Sequence, residues 1–159
     1  MVSMVAMTTI YCALVRQILE YGSTFWNPHQ KYPCHDLERI QRRFIPLVGV
    51  RNGYNCHQVP IDDFYSRLQL EHLETRIATA VSVVLHKLVN GKMVCPDILQ
   101  LLSFKTPSGT RSNDLFARQH YGTNYAANST VARLQKAGNN LPLTVDLFYD
   151  SVRTLKLKK

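Results

Sequence analysis

The stretch running from Leu73 to the Asn90-Gly91 pair constrains this chain more than any other. Leu73, Ile77, Ala80, Val81, Val84, Leu85 and Leu88 recur at steps of three and four. At 100° per residue they cover an arc of about 140° on a helical wheel. A half-buried strand would need strict alternation instead, and none is present. After Glu74 the only basic residues are Arg76, His86 and Lys87, and Asn-Gly is a standard helix stop. A helix with so broad an apolar arc belongs at the centre, touched from more than one side. The expected fold class is therefore all-α, a bundle of five to six helices with long loops.

The flanking segments repeat the pattern. Ile10, Leu14, Ile18 and Tyr21 fall at helical spacing, so a buried amphipathic helix is expected over residues 4–21, closed by Gly22. Residues 22–35 hold two prolines and read as a loop, with Trp26 folding back on the first helix. Asp36 is a good N-cap type. Behind it Leu37, Ile40, Phe44 and Leu47 lie within about 80° of one another, with Arg39, Arg42 and Arg43 opposite. Pro46 cannot donate to the Arg42 carbonyl, which predicts a kink or an end there, followed by loop over 49–60. Short helices are expected at 61–69 and from Pro96 through Leu102. Residues 103–127 read as surface loop. Asn128 or Ser129 should cap a helix to about Ala137, and Val145, Phe148, Val152 and Leu155 mark a last helix. The implied division is 1–102, a helical bundle, and 103–159, a basic extension with two short helices packed on it.

At 159 residues the chain can hide roughly 68–70% of its unfolded surface, enough for a real core. The formal charge is +8, from 19 basic and 11 acidic side chains. Residues 1–100 carry 10 and 8 of these, and residues 101–159 carry 9 and 3, so +6 lies in the last part. Such a balance favours polyanionic partners without naming a fold. Four cysteines with no close pair argue against a disulfide scaffold. Arg16 and Glu20 interrupt the apolar amino terminus short of the ~20 residues of a membrane span, and no basic leader precedes it. The expectation is an intracellular protein, nuclear or cytoplasmic, with no membrane partner.

Few residues suggest chemistry. Asp62-Asp63 resembles the adjacent carboxylates that hold two metals in nucleotidyl transfer. Pro60 stands where reverse transcriptases have an aromatic residue, and the following FYSRL looks helical, so the pair reads as dipole-favoured acids at a helix start. Cys34-His35 and Cys56-His57, with His29, could in principle supply zinc ligands. Neighbouring residues rarely chelate one ion together, however, and no C-x-x-C spacing occurs. No nucleophile elbow, phosphate loop or dinucleotide fingerprint appears. No catalytic residue, metal site or cofactor is expected. Asn128-Ser129-Thr130 matches the glycosylation triplet but serves better as a helix cap. Arg39, Arg42 and Arg43 share a helical face from which forked guanidinium groups can grip phosphates. A solvated face, with Glu38 pairing Arg42, accounts for them equally well. The tail adds Arg153, Lys156, Lys158 and Lys159 without an acid.

The order of segments carries a resemblance. LVRQILEYGSTFWNP, DLERIQRRF, RLQLEHLETRI, VLHKLVNGKMVCPDILQLL, TRSNDLF, NYAANSTVARLQKAGNNL and DLFYDSV follow one another over residues 8–157. Together they resemble the carboxy-terminal, thumb and post-thumb region of jockey-like non-LTR retrotransposon polyproteins. The most specific pieces are Leu19-Glu20-Tyr21-Gly22 with Trp26 and Pro28, and Leu37-Glu38 with Gln41-Arg42-Arg43-Phe44. Lys87-Leu88-Val89-Asn90-Gly91 is a third, and Asn128-Ser129 with Arg133 a fourth. Thr75 and Pro46 depart from the pattern. The resemblance implies a thumb-like, non-catalytic fragment of an RNA-directed DNA polymerase that holds RNA or DNA template–primer. Arg39, Arg42, Arg43, Arg76, Arg133, Lys156, Lys158 and Lys159 are its candidate backbone contacts. Magnesium would belong to the polymerase palm, which precedes this region in the family, as does an endonuclease. Met1 falls inside the polyprotein, so a fragment or degenerate genomic copy is expected, inactive as a polymerase alone. Self-association through the face that would meet the palm is a further expectation. The alternatives are a helical protein-interaction module and a non-functional remnant.

Overall fold

The computed structural model describes residues 3–26, 31–106, 114–142 and 144–157. The protein is all-α: no strand occurs among the described residues, and one isolated bridge joins Phe104 to Phe116. No described helix is long and apolar enough to cross a membrane. The chain separates into two compact units, 1–77 and 78–159, so the division falls inside a helix and earlier than the expected 102/103 position. The reason is packing. The second half of that helix is buried by Leu102, Phe116, Leu134, Leu147 and Leu155, so everything after it belongs to one core.

In the first unit the chain opens with α1 (Met4–Ile10), a π segment (Tyr11–Val15) and α2 (Arg16–Glu20). Ser3 caps α1 by accepting from the Ala6 N–H at 3.2 Å. Gly22, at φ +64°, closes the stretch in the left-handed region where a side chain is strained. The short α3 (Ser23–Trp26) then turns back, and the Trp26 indole N–H donates to the Tyr21 carbonyl, as expected for a ring folding onto the first helix. Next comes α4 (Lys31–Arg51), longer at both ends than the sequence suggested. Pro33 sits in its first turn, where backbone N–H groups lack intrahelical partners anyway. Pro46 is accommodated inside the helix, on the side that carries the exposed Arg39 and Arg43, where solvent can satisfy the Arg42 carbonyl. A 3-10 turn (Cys56–Gln58) and α5 (Ile61–Arg67) pack on α4. A methyl group at Gly49 would lie 2.5 Å from Val59, so only glycine allows that approach.

The core of this unit gathers Tyr11, Ile45, Val48, Val59, Phe64, Tyr65 and Leu70. Two expectations fail here. Ile10, Leu14, Ile18 and Tyr21 are exposed, at 55, 63, 75 and 83%, and Tyr11 is the residue buried. On α4 the inward side is Gln41, Ile45 and Val48, while Ile40 and Leu47 are exposed. The physical reason is that Gln41 has two partners inside. It accepts from the Tyr11 hydroxyl at 3.2 Å and donates to the Glu71 carbonyl at 2.8 Å. A satisfied amide is tolerated in a core, and it carries its helical face with it.

After α5 the chain reverses through Gln69, a non-glycine residue at φ +51°. Gln69→Gly should raise stability by about 0.5–1 kcal/mol, because the left-handed conformation costs a side chain but not glycine. Urea unfolding checks this, and an unchanged midpoint would show that the turn is unstrained.

Helix α6 (Leu73–Val89) forms where its apolar period predicts a helix. Leu73, Ile77, Val81, Leu85 and Leu88 are buried, and Val84 is half-buried. Its end is pinned in the second unit by Asn90, whose side-chain amide donates to the His86 and Leu147 carbonyls at 2.8 and 3.0 Å. His86 is itself buried, with Nε2 donating to the Asp150 carbonyl at 2.8 Å. Then follow α7 (Pro96–Leu101), α8 (Asn124–Ala127), α9 (Thr130–Asn139) and α10 (Val152–Leu157). Ser129 caps α9 as expected, accepting from the Ala132 N–H. The last helix is shorter than its apolar spacing suggested: Leu147 is buried from a turn and Leu155 from α10. Between α7 and α8, Lys105 N–H donates to the Leu115 carbonyl and Ala117 N–H to the Ser103 carbonyl, both at 2.9 Å. The Asn139 side chain accepts from the Phe116 N–H at 2.8 Å and donates to its carbonyl at 3.0 Å.

Candidate nucleic-acid interface

Helix α4 places the three arginines together. Arg39, Arg42 and Arg43 are all exposed and point away from the Gln41–Ile45–Val48 side. Arg39 and Arg43 are one turn apart, about 6 Å along the axis. None of the three forms an ion pair with a described residue. The expected Glu38–Arg42 pair does not form, because Glu38 is used elsewhere. Its carboxylate accepts from the Tyr65 hydroxyl at 2.8 Å, from His72 Nδ1 at 2.8 Å and from the Leu73 N–H at 3.0 Å. Burial pushes the Glu38 carboxyl up, but the three donated hydrogen bonds outweigh burial and hold it below its ordinary value. Tyr65 responds oppositely: burial and the hydrogen bond to Glu38 push its hydroxyl up to about 12. This network fixes α4 against the start of α6 and leaves the arginines facing outward.

The remaining candidates are placed differently. Arg76, on α6, is bound by Glu20 through two hydrogen bonds and lies 3.6 Å from Glu71. The Glu20 hydrogen bond, against the cost of burial, holds its guanidinium above the ordinary value. Arg76 therefore ties α2 to α6 and does not join the α4 face. Arg133 lies on α9, half-buried, and burial lowers its pKa. Lys156 belongs to α10 but its side chain lies outside the described residues, as do Lys158 and Lys159. His29 and Pro28 lie outside them too.

Asp62 and Asp63 occupy the exposed first turn of α5, with Asp63 3.4 Å from Arg67. Among the described residues no group of three His, Cys, Asp or Glu side chains could hold a metal ion. Burial raises the Cys34 thiol, helped by the nearby Glu74.

Sequence reasoning missed the apolar company of the arginines. Tyr32, Ile40, Leu47 and Val50 are exposed on α4 at 85, 42, 62 and 49%. The face is thus mixed, with guanidinium groups between aliphatic and aromatic side chains. Comparison with protein-family models, curated proteins and solved structures gives no match.

Proposed function

We propose that the first unit holds the backbone of a template–primer duplex on the arginine face of α4, as a non-catalytic, thumb-like part of a reverse transcriptase of the kind the sequence resembles. The observation that carries this reading is the contrast among the arginines of the unit. Arg16, Arg67 and Arg76 are within ion-pair distance of carboxylates, whereas Arg39, Arg42 and Arg43, like Arg51 at the end of the same helix, are exposed with no such partner among the described residues. Unneutralised, clustered guanidinium groups are the chemistry that displaces counterions from phosphates. Such contacts position a nucleic acid without reading its sequence.

Replacing all three arginines by glutamine keeps helix propensity close to that of arginine. Fluorescence anisotropy with a labelled RNA–DNA duplex should then show weaker binding. The log–log salt slope should fall by about 0.7–0.9 for each phosphate contact removed. Binding of the triple variant with the parent's slope would sink the proposal. It would favour the second reading, a protein-interaction module, which the exposed Tyr32, Ile40, Leu47 and Val50 support.

A further inference from the structure

Resting on the reading of α4 as a backbone contact, we propose that His72 reads the ribose 2′-hydroxyl of the bound strand, so that the duplex this site prefers is an RNA–DNA hybrid over DNA. Glu38 fixes what the His72 ring can do. Its carboxyl is held below the ordinary value, so it is ionised at neutral pH and has no hydrogen to give. The 2.8 Å contact with His72 Nδ1 therefore requires the proton on Nδ1. In the neutral ring Nε2 is then a lone-pair acceptor. It has no partner among the described residues, on a side chain 56% exposed. Tyr65 holds the plane of the same ring by stacking on it at 4.8 Å and 27°. With one nitrogen anchored and one face covered, the ring has little freedom left to lose on binding.

The location joins this acceptor to the arginines. Arg42 stands one turn after Glu38 on α4, about 6 Å along the axis. Burial and the Glu38 hydrogen bond act most on the Tyr65 hydroxyl, and the Arg42 charge acts on it as well. The guanidinium is thus within electrostatic reach of the Tyr65–Glu38–His72 cluster. Glu71, next to His72 in the chain, lies 3.6 Å from Arg76. The chemistry then selects the strand. Phosphate and deoxyribose present only acceptors, which a lone pair repels. The 2′-hydroxyl is the one donor on a nucleic-acid backbone, and only RNA carries it. A protonated histidine would instead donate to phosphates of either polymer.

The test compares an RNA–DNA hybrid with the same hybrid carrying 2′-fluoro riboses, which keep the A-form pucker but cannot donate. At about pH 8, above the reference histidine value, the parent should bind the native hybrid more tightly. One hydrogen bond corresponds to a preference of about two- to tenfold. His72→Asn sets an amide N–H where Nδ1 stood, so it keeps the bond to Glu38 and lacks Nε2. It should bind both hybrids alike, at unaltered circular dichroism. Equal binding of the two hybrids by the parent, still lost on replacing the three arginines, overturns the inference and leaves the arginine face standing. A preference that survives in His72→Asn overturns it too, because another group then reads the hydroxyl. Binding of neither hybrid removes the arginine face and this inference together.

Discussion

Exchange of Glu38 for alanine should destabilise the first unit by about 2–4 kcal/mol, since hydrogen bonds to a charged group contribute ~1.5–3 kcal/mol and the buried Tyr65 hydroxyl loses its acceptor. The only tryptophan, Trp26, lies in that unit and reports its urea unfolding by fluorescence. The pH dependence gives a sharper test. The folded protein holds the Glu38 carboxyl below its ordinary value. Its contribution is therefore complete above the unfolded carboxylate range, near ~4.3, and is lost as pH falls through the lower folded-state value. Glu38→Gln keeps the shape but cannot titrate. Between about pH 5 and pH 3 the parent should lose stability faster than Glu38→Gln. Parallel curves would mean that the carboxylate charge adds nothing to the network.

Leu88→Ala should cost about 2–5 kcal/mol, the range for a buried leucine whose cavity only partly collapses. Leu88 is 2% exposed in the core that also contains Val81, Leu85, Leu102 and Leu134. Leu88→Met, which conserves volume, should cost less than ~1.5 kcal/mol. Urea unfolding followed by circular dichroism at 222 nm (a wavelength that reads helix) measures both. A loss below about 1 kcal/mol for Leu88→Ala would contradict the packing described for α6.

Helix α6 was legible because its apolar arc is wide enough to survive an error of one residue in any direction. Leu73, Ile77 and Leu88 are buried as their period implies, and Asn90-Gly91 stops the helix. The same reasoning failed on α1 and α2, where the apolar stripe faces out. Periodicity identifies which side of a helix is apolar. It does not say whether a partner covers that side, and the buried Tyr11 gains its place by stacking on Phe44 at 4.3 Å and bonding to Gln41. On α4 Arg39, Arg42 and Arg43 are exposed, but Ile40 and Leu47 are exposed beside them and the inward face was misjudged because Gln41 looks polar. Its partners Tyr11 and Glu71 lie 30 residues away in either direction, so no local pattern announces them. Glu38 is the same case. It was read as a partner for Arg42 four residues on, but its acceptor capacity is filled by residues 27 to 35 positions distant. Arg76 is likewise claimed by Glu20, 56 residues before it.

The bridge between Phe104 and Phe116 has a consequence for aggregation. In an antiparallel pair of this type the two facing residues turn their own N–H and C=O groups outward. An outward row of unpaired amides is what lets a foreign strand add to an edge. At Phe116 both groups are already occupied, in opposite senses, by the single side-chain amide of Asn139. One helix-borne asparagine thus takes, at Phe116, the place a neighbouring strand would take and leaves neither backbone group of that residue open to another chain.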